Sequence, residues 1–238
     1  MGLIIFNGLS SADYGIKVWQ PPTYTIPERD YDMIHILGRD GDIALDKGSF
    51  KNTTRNYVVS FGRIDKENYT ELANGLSEWL HSCNGYARLE DSYEPEYYRL
   101  AMFKDSLDIT NAYHKAGQAT IRFNCKPQRY LKSGDNIVKF DKSGYLDNPT
   151  YFNARPIIKV FGCGDGVLQV GEYTVTLKSI DEFIVIDSEL MDAYKGEHNC
   201  NSQVELNGNF PRLTNGRNNI SFSGGITSLE VQPKWWTI

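Results

Sequence analysis

Phe50-Lys51-Asn52-Thr53-Thr54-Arg55-Asn56-Tyr57-Val58-Val59-Ser60-Phe61 is rich in Thr, Tyr and Val, residues that fit a pleated, half-buried surface, and it reads as a long strand. Similar short runs lie at residues 97–103, 119–125, 156–161, 167–170, 173–177 and 183–186. Gly, Asn, Asp and Pro separate them at intervals near those of a sandwich or barrel. One segment departs from this pattern. Over residues 65–84 the apolar side chains fall at Tyr69, Leu72, Leu76, Trp79, Leu80 and Cys83, which is helical spacing. Asp65 is placed to accept from the free N–H groups at the start of that helix, and Gly85 to take a left-handed conformation past its end.

The stretch from Pro127 to Asp135 is polar and turn-rich, and no helical spacing recurs after it. A domain boundary is therefore expected near residue 130. The fold class predicted is mainly β. Residues 1–130 form a sandwich or barrel-like domain with one α-helix, and residues 131–238 an all-β domain of common sandwich size. With 238 residues, 40% hydrophobic and 23% charged, the chain is too apolar for disorder and long enough to bury proper cores.

Charge and cysteine usage narrow the function. The formal charge is −5, spread evenly, with 15 basic and 17 acidic residues in 1–130 and 10 and 13 in 131–238. No basic face is available to hold phosphates. The longest apolar runs, such as Phe183-Ile184-Val185-Ile186, are far short of a membrane span. The start lacks the positive region of a signal peptide, so a soluble, cytoplasmically made protein is expected. Cys83, Cys125, Cys163 and Cys200 form no CxxC pair and read as small buried side chains in a reducing compartment.

No catalytic or ligand-binding motif is complete in the sequence. Gly162-Cys163-Gly164-Asp165-Gly166 lacks GxGxxG spacing and precedes a strand-like run, so it reads as an Asp-Gly hairpin turn. Asp40-Gly41-Asp42 with Asp46 begins like a calcium loop. That loop needs an oxygen ligand, Gly and Glu at its fifth, sixth and twelfth places, and here Ala44, Leu45 and Lys51 stand there. His35, His81, His114 and His198 are isolated, and no GxSxG elbow exists. The carboxylate pairs Glu94 with Glu96 and Asp187 with Glu189 read as surface charge. Tyr93, Tyr97, Tyr98 and Trp235-Trp236 could line a sugar-binding groove, but the favoured reading is that they fill sandwich cores and seal an end strand. No enzyme, cofactor or metal site is expected.

The order of the remaining motifs resembles one family. Ile26-Pro27-Glu28-Arg29 leads through Asp32 to Leu37-Gly38-Arg39-Asp40-Gly41-Asp42, then Asp46-Lys47-Gly48-Ser49-Phe50-Lys51-Asn52. A single helix and a strand pair follow, closing with Phe123-Asn124-Cys125-Lys126-Pro127. The second half carries Asn148-Pro149-Thr150, Arg155-Pro156-Ile157-Ile158-Lys159-Val160, Gly208-Asn209-Phe210-Pro211-Arg212-Leu213 and Pro233-Lys234-Trp235-Trp236. Together these are similar to the distal tail proteins of long, non-contractile-tailed phages of Gram-positive bacteria.

That resemblance implies a structural protein of the virion tail tip, made in the host bacterial cytoplasm. It implies a homo-hexameric ring formed by the first domains, joined to the major tail tube protein on one face and to the tail-associated lysin or tip protein on the other. DNA would pass through the lumen without specific binding. The second domain would be a galectin-like or carbohydrate-module-like β-sandwich that projects outward and often anchors receptor-binding proteins. The alternative is a carbohydrate-binding module for host cell-wall polysaccharide, which a stripe of exposed aromatics would favour.

The polar stretch 38–52, with Ile43, Leu45 and Phe50 at odd spacing, fits either a surface hairpin or an arm reaching the next subunit. The candidate arm residues are Arg39, Asp40, Asp42, Ile43, Leu45 and Phe50.

Overall fold

The computed structural model of the chain describes residues 2–61, 69–107, 110–111 and 117–238. They divide into two compact units, Met1–Arg129 with Ile238, and Tyr130–Thr237. Both are mainly β.

In the first unit the strands are β1 (Ile4–Phe6), β2 (Leu9–Ser10), β3 (Ile16–Val18), β4 (Arg29–His35), β5 (Asp42–Phe50), β6 (Thr53–Phe61), β7 (Ala87–Asp91), β8 (Tyr97–Phe103), β9 (Thr110–Asn111) and β10 (Gly117–Leu131). The long run 50–61 is thus two strands, broken at Lys51-Asn52. The main sheet runs β2-β1-β7-β8-β10-β6-β3. A single bridge between Gly2 and Val18 brings the chain entering β1 against β3, so the sheet curls back on itself. The helix α1 (Tyr69–Leu80) supplies Leu76, Trp79 and Leu80 to the interior, each at most 2% exposed. It ends at Leu80, before the predicted Asn84, and Gly85 (φ 110°) sits in the turn into β7. The expected cap, Asp65, lies outside the described residues. Phe6, Tyr57, Trp79 and Phe123 form an aromatic centre, with ring centroids 4.9 Å apart for Phe6–Phe123 and 6.4 Å for Phe6–Trp79. The Trp79 indole N–H donates to the Leu9 carbonyl at 3.1 Å, which satisfies its one polar atom inside the core.

The second unit contains β11 (Val138–Phe140), β12 (Gly144–Asn148), β13 (Ile157–Val170), β14 (Tyr173–Asp187), β15 (Asp192–Lys195), β16 (His198–Asn199), β17 (Val204–Leu206), β18 (Gly216–Gln232) and β19 (Trp236–Thr237). Three long antiparallel strands, β18-β13-β14, run through both layers of a sandwich and bend at one level. Their first layer is completed by β12 against the start of β18 and β17 against the start of β14. The second is completed by β11 against the end of β18 and β15 against the end of β14. Leu168, Val170, Val175, Leu177 and Ile220 from one layer pack with Ile158, Val160, Ile184, Ile186, Leu229 and Val231 from the other in a single core.

The bend corrects the hairpin reading of residues 162–166. They lie inside β13, where the register against β18 shifts between Phe161, Gly162 and Gly166. A Cβ on Gly162 would overlap the Gly225 carbonyl, and one on Gly225 would overlap the Cys163 carbonyl. Glycine here lets two backbones close up where strands pass from one layer to the next. The β13–β14 turn itself is at Gly171, φ 57°.

Candidate assembly surface

Strands β4 and β5 form a two-stranded sheet separate from the other two. Their pairing sets Tyr31 opposite Asp46, Asp32 opposite Leu45, Met33 opposite Ala44, Ile34 opposite Ile43 and His35 opposite Asp42. The turn is tightened by the Arg39 N–H donating to the Ile36 carbonyl at 3.1 Å, with Gly38 and Gly41 at positive φ. Nearly every residue of both strands is exposed, and the exposed set includes Met33 (61%), Ile34 (47%) and Leu45 (54%), with Leu37 (92%) at the tip. A two-stranded hairpin alone in water is marginal, and this one leaves large apolar side chains in solvent.

Of the candidate arm residues, Arg39 and Asp40 occupy the turn and Asp42, Ile43 and Leu45 lie along β5. Phe50 stands apart at the root, half-buried, with the Arg29 guanidinium 5.4 Å from its ring centroid. Sequence reasoning missed Tyr31, Met33 and Ile34 on β4, and Ile36 and Leu37 beyond its end. The signal was present: Asp40-Gly41, a turn dipeptide, lies between two stretches that each carry several apolar residues.

The arm's charges face each other across its strands. Arg29 donates to Asp46 at 2.5 Å, Lys47 reaches Asp32 at 2.6 Å, Lys51 reaches Glu28 at 2.9 Å and His35 contacts Asp42 at 3.2 Å. The hydrogen bond from Arg29, followed by one from the Gly48 N–H, holds the Asp46 carboxyl below its ordinary range.

The first unit also contains a buried ion cluster. Glu94 accepts from Arg55 at 2.7 Å, Arg99 at 2.7 Å and Arg129 at 2.5 Å. Asp91 accepts from Arg55 at 2.9 Å and from the Tyr57 hydroxyl at 2.6 Å, while its other oxygen takes the N–H groups of Tyr93 and Glu94. Burial pushes the Glu94 carboxyl up, but the hydrogen bond and charge of Arg99, with Arg129 and Arg55, outweigh it and leave it below its ordinary value. Burial, reinforced by Asp91, raises the Tyr57 hydroxyl well above its usual range. Arg129 also lies 4.8 Å from the ring centroid of Tyr24, whose hydroxyl donates to the Ile238 carbonyl at 3.0 Å. Tyr24 thereby fastens the irregular segment that leads from β3 to the arm.

Several expectations are corrected at this level. Glu94 and Asp187 are not surface charges: Glu94 is held by three guanidiniums, and the buried Asp187 accepts the N–H groups of Glu189 and Leu190. Among the cysteines only Cys125 and Cys200 are buried, whereas Cys163 is exposed and Cys83 half-buried. The candidate sugar-lining aromatics do not form an exposed stripe. Tyr98 and Trp235 are buried, Tyr93 packs on the first core, Tyr97 lies beneath Arg129 and Trp236 stacks on Phe152 at 4.5 Å.

The fold is that of phage tail hub and baseplate proteins. Over 100% of both chains it is similar to the Dit protein of phage SPP1, described as a paradigm of the hub adsorption apparatus in phages infecting Gram-positive bacteria, with a TM-score of 0.76 at 12% identity. It also resembles a chain of the phage P2 baseplate, with a TM-score of 0.50 at 11% identity over 98% of each chain. No protein-family model and no curated protein matches the sequence. The distal-tail resemblance carried by the order of the sequence motifs is therefore met in the fold.

Proposed function

We propose that this chain is the distal tail protein of a long, non-contractile phage tail, assembling as a hexameric ring at the tail tip. The full-length fold likeness to a hub protein carries this reading. In the ring, residues 1–130 join neighbouring copies, meet the major tail tube protein on one face and the tail-associated lysin or tip protein on the other, and leave a lumen for DNA. Residues 131–238 form the outward sandwich on which receptor-binding proteins anchor. The exposed arm, including Arg39, Asp40, Asp42, Ile43 and Leu45, is the contact between copies, with Phe50 at its root. The work is done by shape and interface complementarity in a closed, head-to-tail ring.

Negative-stain imaging of the purified full chain tests this. Six-fold rings with an open centre are expected. Only compact single particles at high concentration, with or without tube and tip proteins added, would overturn it.

A further inference from the structure

We infer that the shallow cleft on the second unit, beside the bend in β13 and β18, is a binding site for a neutral saccharide, one pyranose ring of which lies on Phe161. The site is additional to the proposed ring and does not depend on it.

The bend makes the cleft. Against β18 the register of β13 passes from Gly162 opposite Ile226 to Gly166 opposite Gly224, so residues 163–165 have no partner on that side. An irregularity of this kind bends the strands. The hollow beside it has a volume of about 800 Å³, within the roughly 300–1,000 Å³ of small-molecule sites. Gly162, Gly224 and Gly225 line it, so part of its wall is bare backbone that a ligand can approach closely.

Its side chains divide between one aromatic ring and a set of polar groups. Val160 is buried in the core, so its neighbour Phe161 points outward, and it lines the cleft. Phe183, directly opposite on β14, buttresses that ring at 6.1 Å between centroids. Lys159 in turn lies over Phe183, 4.0 Å from its centroid. The same cleft is lined by Asp141, Glu182, Thr227 and Ser228. A pyranose carries C–H groups on its faces and hydroxyls round its rim. The Phe161 ring suits the first, and carboxylates that only accept, with hydroxyls that accept and donate, suit the second.

Charge selects the occupant. The carboxylates of Asp141, Glu182 and Glu230 line the cleft against one ammonium, Lys139, which is already paired with Glu230 at 2.8 Å. A phosphate-bearing polymer would be repelled there, whereas a neutral polyol brings hydroxyl donors to the acceptors. A protein partner fits less well, because interfaces centre on desolvated apolar and aromatic anchors. Beyond Phe161 and the exposed Cys163, the accessible side chains of the cleft are polar, and Leu229 is fully buried.

The test titrates the full chain with neutral oligosaccharides of glucose, galactose and N-acetylhexosamines, and with poly(glycerol phosphate) as the anionic probe. At least one neutral probe is expected to bind with a Kd of about 1 mM or tighter, and about 1 M salt should leave that binding intact. Asp141→Ala, at an exposed position, should weaken it about tenfold. Phe161→Leu, which keeps apolar bulk and removes the ring, should weaken it about fivefold. Cys163 gives a reading on the unaltered chain. At about ten times its Kd the sugar should slow alkylation of that exposed thiol about tenfold, and leave the half-buried Cys83 unaffected. No binding of any neutral probe, or equal affinity for the anionic polymer, would overturn the inference. So would binding that neither substitution weakens and that leaves Cys163 unprotected. The ring reading stands or falls separately, by imaging.

Discussion

Glu94 accepts from three guanidiniums while only 17% of its side chain is exposed, so its charge is balanced by Arg55, Arg99 and Arg129 rather than by water. Removing one partner from such a cluster leaves buried charge uncompensated. Glu94→Gln should destabilise the first unit by about 3 kcal/mol, read as a lower urea midpoint of the full chain. The pH dependence has a definite sign. The folded Glu94 carboxyl titrates below its ordinary value of 4.5, so its stabilisation is complete above that value and is lost as pH falls through the folded value. Wild type should therefore lose more stability below about pH 4.5 than Glu94→Gln does, and parallel acid-unfolding curves would contradict this. None of the cluster was legible in the sequence. Arg55 is 39 residues from Glu94 and Arg129 is 35, and single-chain patterning does not reveal pairs made by folding.

The elements that were legible are those whose signal is local. Leu76, Trp79 and Leu80 fall at helical spacing and form the buried face of α1; the run 97–103 is β8 as read. Glycine misled where one residue type serves two geometries. Residues 162–166 look like a hairpin turn because Asp-Gly suits one, yet their use is to let β13 pass close to β18 at the bend. The two uses separate on substitution. Gly225→Ala, which drives a methyl into the Cys163 carbonyl, should cost about 2 kcal/mol. Gly171→Ala, which meets only its left-handed backbone, should cost about 1 kcal/mol. Equal urea midpoints for the two variants would contradict the bend. The arm was half seen because its strands lack the one-sided apolar pattern that marks a strand packed on its own core.

At the scale of the whole molecule, a fold similar to hub proteins was legible in the order of loose motifs, although no single motif was specific. The contacts that the proposed ring requires were not, because one sequence does not show which exposed side chains another chain covers. Charge adds a prediction. Six copies at −5 carry a formal −30, so the channel should be neutral or acidic and should let DNA pass, since every phosphate neutralised by a basic group raises affinity. A resolved ring with a channel lined mainly by Lys and Arg would contradict that. The most direct measurement is the absolute mass of the purified chain across a concentration series. The account predicts a species near 163 kDa, six times 27.1 kDa, growing at the expense of the monomer. A mass of 27.1 kDa at every concentration, unchanged when tube and tip proteins are supplied, would contradict it.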